Sequence, residues 1–154
     1  MDLSKLDKVT LLALCIWGEA RGEPIEAQVG VGCVVRNRVN DPGKDWWGDT
    51  YREVLLKPKQ FSCFNLNDPN RAKIEHILEE ERAADYLGWV PEMQSQMYCQ
   101  CYWVADGVYE DSIIDNTRGS THYHSGSIVP SWAVGKEPRI QLGRLVFYKI
   151  GTGS

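Results

Sequence analysis

The stretch "ARGEP" at 20–24 constrains this chain more than any other. Apolar residues recur at helical spacing on both sides of it. Leu6, Val9, Leu12, Leu14, Cys15 and Ile16 predict a helix from about Leu6 to Glu19. Val29, Cys33, Val34 and Asn37 predict a second, from Pro24 to near Val39, where "NDPG" reads as a turn. Gly22 loosens the backbone between them, and Pro24 suits the first position of a helix but not its interior. Two helices must therefore meet at an elbow, with Glu19 on one side, Glu23 on the other and Arg21 between.

Further signals organise the rest. "TYRE" at 50–53 is a capping box opening a short helix through Leu56. Asp68 as cap, Pro69 as first residue and Gly88 as stop frame an acidic helix. A fifth helix should begin at Pro91 and run through Met97, Cys101 and Val104. After Asp115 the texture changes: "STHYHS" and "RIQLGRLVFYKI", with Gly143 as a bend, read as strands or a loose hairpin. Helices first and a small C-terminal β element last make a mainly helical α+β domain. The irregular stretches 57–67 and 109–137 are long enough to suggest function. No internal repeat or linker interrupts the 154 residues, which read as a single domain, 1–154.

Charge excludes some partners. A formal net charge of −4 gives no support to nucleic-acid binding, which normally needs a basic face. No run approaches the ~18 apolar residues of a membrane span, so no membrane insertion is expected. The first twenty residues start acidic, carry a short apolar run and show no small-residue cleavage site. The expectation is a chain made in the cytoplasm without a signal peptide. The cysteines at 15, 33, 63, 99 and 101 are then expected to be reduced thiols. A monomer is expected.

Several residues could carry chemistry. Glu19 falls at the C-terminal end of the first helix, where the dipole disfavours negative charge and Trp17 adds desolvation. Both effects raise a carboxyl pKa, as a general acid at neutral pH requires. Glu23 precedes the second helix, whose positive end favours an ionised carboxylate; the pair would then be split in pKa. Arg21 would oppose this if it paired with Glu19, and a surface role for Glu19 with a capping role for Glu23 is the plain alternative. His122 and His124 would share one side of a strand and could bind zinc only with a third ligand; His76 has no obvious partner, so no metal and no cofactor are expected. Cys63 with His122 would be the couple of a cysteine peptidase, but nothing around Cys63 activates a thiolate.

Six tryptophans and seven tyrosines are many for this length. Trp46, Trp47 and Trp132 could be core, but "DWWGD" and "PSWAV" fall in loops, where exposed aromatic faces suit a groove for a sugar polymer. Trp89 and Trp103 could be core. Asn37, Gln60, Asn65 and Tyr123 could hydrogen-bond the sugar. If 121–125 is extended, Tyr123 points away from His122 and His124, and it is expected to face the sugar with Gln60, near Glu19.

Taken in order, "WGEARGEP", "EAQVGVGCVVRNRV", "KQFSCF", "STHYHS", "PSWA" and "LGRLVFYK" resemble the catalytic domain of the SleB-like cell wall hydrolases. That family includes spore cortex-lytic enzymes and phage endolysins. The resemblance runs from about residue 10 to 150. It implies a lysozyme-like fold and cleavage of peptidoglycan between N-acetylmuramic acid and N-acetylglucosamine, of the lytic-transglycosylase type, with Glu19 as general acid and base. The matched motifs place Ser62 and Thr121 beside Glu23, Asn37, Gln60, Tyr123 and Trp132 as substrate-binding residues. Glu23 is read there in a structural rather than an acid–base role. The expected partner is bacterial peptidoglycan, and the expected setting is a phage endolysin acting on the wall after release. Two alternatives stay open: a hydrolytic muramidase or glucosaminidase with a second carboxylate, and a non-catalytic glycan-binding module.

Overall fold

The structure, a computed structural model, describes residues 2–41, 47–58, 60–87 and 93–150. Trp46, Lys59, Gly88, Trp89 and Pro91 lie outside them. Among the described residues the helices are α1 (Lys8–Ala20), α2 (Ile25–Asn40), α3 (Tyr51–Leu56), α4 (Pro69–Leu87) and α5 (Met93–Tyr109). Three strands follow: β1 (His122–Ser125), β2 (Ile140–Leu142) and β3 (Leu145–Tyr148). The irregular stretch after α3 contains a 3-10 turn at Ser62–Phe64, and the one before β2 contains another at Ser131–Ala133.

Thr50 and Asp68 cap their helices as the sequence predicts, and Asp7 adds a cap outside that reading, starting α1 at Lys8 rather than near Leu6. Asp7 Oδ1 accepts from the Thr10 N–H at 2.9 Å and opens α1. Thr50 Oγ1 accepts from the Glu53 N–H at 3.1 Å and opens α3. Asp68 Oδ1 accepts from the Asn70 N–H at 2.8 Å at the head of α4. Burial departs from the amphipathic pattern in α1, where every residue from Leu11 to Trp17 is buried. This helix is the centre of the molecule, packed by α2, α3, α4 and α5. Trp47 is a second departure. Its loop position suggests an aromatic face open to ligand, but it is buried and its indole N–H donates to the Arg38 carbonyl at 2.8 Å.

The antiparallel sheet has the order β1-β3-β2. Tyr123 pairs with Phe147, and Ile140 pairs with Phe147 on the other side, so these three share the face turned to the helices. The sheet approaches α2 closely enough that a Cβ on Gly30 would lie 2.7 Å from the Phe147 ring. His122 and His124 take the opposite face, with Tyr148 and Trp132.

A latch ties the β2–β3 turn to the elbow between α1 and α2. The Arg144 N–H donates to Glu23 Oε1 at 2.7 Å and its Nε donates to Oε2 at 2.8 Å. Gly143 makes the turn possible, with φ of +58° and no room for a Cβ, which would meet Glu23 Oε1 at 2.6 Å. Gly143→Ala combines left-handed strain with that clash. It should cost about 1–2 kcal/mol, read as a lowered thermal midpoint. An unchanged midpoint would mean that the latch contributes nothing to stability.

Candidate active site

Glu19 lies in the last turn of α1, at the seam between the helices and the sheet. Burial, and next the nearby charge of Asp68, raise its pKa from an ordinary 4.5 to about 7. The hydrogen bond from the Tyr123 hydroxyl and the charge of Arg38 act the other way, favouring the carboxylate. Burial also pushes the Tyr123 phenol well above its ordinary value, so this group remains an O–H donor at neutral pH. Glu19 is therefore a carboxyl poised between its two forms near pH 7, with a fixed donor to its ionised state.

Arg21 does not oppose this arrangement. Its guanidinium lies 4.2 Å from the Trp17 ring centroid and donates to the Trp17 and Gly18 carbonyls at 3.3 and 3.4 Å. A further bond, at 2.9 Å, goes to Asn70. Arg21 thus caps the C-terminal end of α1. Gln28 reinforces the elbow by donating to the Ala20 and Glu23 carbonyls at 3.2 and 3.4 Å.

Arg38 is the buried cation of the site. Its Nε donates to the Thr121 carbonyl at 2.7 Å and its Nη1 donates to Gln60 Oε1 at 3.3 Å. It sits 5.2 Å from the Phe61 ring centroid and 5.7 Å from that of Trp47. Arg38 therefore links α2, the Phe61 segment and the entry to β1 around one charge.

A cleft of about 670 Å³ opens at Glu19, lined by Glu19, Glu23, Ser125, Gly126, Ser127, Gln141, Arg144 and Leu145. Glu23 is held below the ordinary carboxylate range by the Arg144 backbone N–H and side chain. The two glutamates of the elbow are thus split in pKa as the sequence suggests, with Glu23 committed to the latch. Tyr123 reaches Glu19 from the sheet side rather than forming part of the cleft wall.

The remaining expected ligand-binding residues divide. Gln60 is exposed and tied to Arg38; Ser62 is exposed at the start of its 3-10 turn. Thr121 is buried: its hydroxyl donates to the Ile150 carbonyl at 2.8 Å and accepts from the Ile150 N–H at 3.0 Å. That leaves His122 Nδ1, at 2.9 Å, to donate to the same oxygen. Asn37 turns its amide nitrogen to the 115–120 loop, donating to the Ser120 carbonyl at 2.9 Å and to Asp115 at 3.1 Å. Trp132 packs tilted against His122 and edge-on against His124 and Tyr148, on the outer face of the sheet. Sequence reasoning missed Arg38 and Asp68 as neighbours of Glu19. The cap signal at Asp68 was visible, but nothing local says that the head of α4 lies against the end of α1.

His122 is held down to about 4 by burial and then by the Arg38 charge, so it is neutral at pH 7. Among the described residues no cluster of three or more His, Cys, Asp or Glu side chains could hold a metal ion. All five cysteines are free thiols, and Cys15, Cys33, Cys63 and Cys101 are buried.

Glu19 and His122 give opposite pH slopes to stability. Between about pH 4.5 and 7 the unfolded chain releases a proton that folded Glu19 keeps, so this group lowers stability as pH rises. Between about pH 4 and 6.5 the unfolded chain binds a proton that folded His122 refuses, so this group raises stability with pH. Each slope is at most about 1.4 kcal/mol per pH unit, reduced by partial solvent contact. Glu19→Gln removes only the first slope. Its thermal midpoint should climb more steeply than that of the wild type from pH 4 to 6.5, and should exceed it above pH 7. Superimposable profiles would show that Glu19 titrates as an ordinary carboxyl.

Residues 22–148 match the sequence pattern of the family described as Cell Wall Hydrolase. The spore cortex-lytic enzyme of Bacillus subtilis (strain 168) is 31% identical over 94 residues, covering 58% of this chain and 28% of that protein. The one from Oceanobacillus iheyensis is 32% identical over 94 residues, covering 58% and 31%. The chain thus spans less than a third of the length of these curated relatives. Among solved structures, the catalytic domain of the germination-specific lytic transglycosylase SleB from Bacillus anthracis aligns with a TM-score of 0.61 at 18% identity, over 97% of both chains. The SleB catalytic domain of Bacillus cereus aligns at 0.57 and 20% identity, over 92% of this chain and 89% of that one. The α+β, lysozyme-like fold expected from the sequence is the fold shared with these domains.

Proposed function

Since the chain belongs to the cell wall hydrolase family, we propose that it cleaves peptidoglycan glycan strands between N-acetylmuramic acid and N-acetylglucosamine, by the lytic-transglycosylase route. The observation that carries the reading is a glutamate with a pKa near 7 at the head of a polar cleft, while its companion glutamate is held by an arginine.

The chemistry follows from that arrangement. Protonated Glu19 gives its proton to the glycosidic oxygen, and the bond from that oxygen to the muramoyl C1 breaks through an oxocarbenium-like state. Glu19, now a carboxylate favoured by the Tyr123 hydroxyl and by Arg38, takes the proton of the muramoyl 6-hydroxyl. The freed oxygen attacks C1 and closes a 1,6-anhydro ring. No water is consumed, and Glu19 ends protonated. A single carboxyl with a pKa close to the working pH can serve both steps.

The second reading, hydrolysis with a second carboxylate, draws on Asp68, whose charge reaches Glu19. Mass spectrometry of the released muropeptides decides between them. Anhydromuramic ends are expected; muramic or glucosamine reducing ends would replace this reading with a hydrolase. Intact strands with both wild type and Glu19→Gln would leave a glycan-binding module. The five free thiols suit a protein that matures in a reducing compartment. We further propose that the chain is made in the cytoplasm and acts on the wall after release as a monomeric endolysin.

A further inference from the structure

We infer that Arg144 reads a carboxylate on the substrate, making the enzyme selective for glycan strands whose muramic acid units carry an acidic group. The inference rests on the proposed function and deepens it. Arg144 lines the same cleft as Glu19, and its side chain is 77% exposed. It is nevertheless oriented. The backbone N–H, Nε and Nη2 all engage Glu23, at 2.7, 2.8 and 2.7 Å, and the Glu23 side chain is only 6% exposed. The anion thus lies beneath the guanidinium and the open edge points outward.

A guanidinium carries five N–H donors. Two face Glu23, and the Nη1 pair has no hydrogen-bond partner among the described residues. The pair fastens the β2–β3 turn, and it also holds the exposed guanidinium in one orientation, which matters for ligand binding. The gain is preorganisation, since a planar fork already in place loses less entropy when a carboxylate docks on it.

The rest of the wall narrows the ligand. Ser125, Ser127 and Gln141 are neutral hydrogen-bonding groups of the kind that meet sugar hydroxyls and N-acetyl groups, and Arg144 is the cation of the cleft lining. The backbone of an N-acetylhexosamine polymer is uncharged. The groups on such a strand that match the free guanidinium edge by charge as well as by hydrogen bonding are the lactyl carboxylate of muramic acid and the carboxylates of the attached stem peptide.

Soluble strands of three kinds test this: with intact stem peptides, stripped by an amidase to free lactyl carboxylates, and stripped then converted to neutral methylamides. Arg144→Gln keeps the backbone bond to Glu23, and an unchanged thermal midpoint would check the fold. It should raise KM about tenfold or more on the carboxylate-bearing strand, as loss of a hydrogen bond to a charged group does, with kcat within twofold. Arg144→Lys should recover part of that loss. On the methylamide strand the KM penalty should shrink at least threefold. A larger penalty on stripped strands identifies the lactyl group, and a larger one on intact strands the peptide. An equal KM penalty on charged and neutral strands overturns the inference. If the wild type cleaves none of the strands, the proposed function fails. Calorimetry then decides the inference by itself: Glu19→Gln should bind a carboxylate-bearing strand more tightly than Glu19→Gln/Arg144→Gln does, and equal affinities overturn it.

Discussion

Glu19→Gln is expected to abolish nearly all wall lysis while preserving the fold. The substitution is almost isosteric and removes the one proton that must move twice, a loss worth ~10²–10⁴ in rate. The altered thermal profile described above reports on the same carboxyl without reference to activity, so a dead but misfolded variant is distinguishable from a dead and correctly folded one. Turbidity loss of purified cell walls is the measurement. Clearing within a few-fold of the wild type would move the acid elsewhere, with Asp68 the first candidate. Glu23→Gln should instead act through stability, because both Glu23 oxygens are engaged by Arg144.

Tyr123→Phe is expected to cut activity at least tenfold with little change in melting temperature. The ring remains against Phe147, 5.7 Å between centroids, so packing survives. What is lost is a hydrogen bond to the ionised form of Glu19. Such bonds are worth about 1.5–3 kcal/mol, or roughly ten- to a hundredfold. The pH profile separates this role from a loss of folded protein. Without the donor the Glu19 carboxylate is less favoured, its pKa rises further, and the alkaline limb of the rate profile should move to higher pH. An unmoved limb would mean that Tyr123 supports the strand and not the acid.

Much of the architecture was legible because it is local. Caps at Thr50 and Asp68, the proline at 69 and the glycine bend at 143 each act within a few residues, and the helices and strands fall close to where they predict. The elbow was legible for the same reason. The surroundings of Glu19 were not. Arg38 comes from α2, Asp68 from the head of α4 and Tyr123 from β1, so the raised pKa belongs to a meeting of segments far apart in the chain. Burial is the leading cause of the raised pKa, and Arg21 caps the helix end whose dipole position alone would invoke. Trp47 shows the converse error. Its neighbourhood of glycine and aspartate reads as a loop surface, yet the indole is buried beside Arg38 and donates to the Arg38 carbonyl.

The seam at Glu19 also sets a timetable for the molecule's own synthesis. The ribosome delivers the glutamate roughly a hundred residues before Tyr123, and β1 can be completed only when β3 arrives still later. At ~5–20 residues per second this interval lasts several seconds. Until the sheet docks, Glu19 lacks its hydroxyl partner and the cleft lacks the wall formed by residues 125–127 and 141–145. Joining parts so distant in sequence closes a large loop, the slow kind of folding step. On the proposed function, a nascent or truncated chain ending short of β3 is expected to lack activity, which is gained only when this final strand docks.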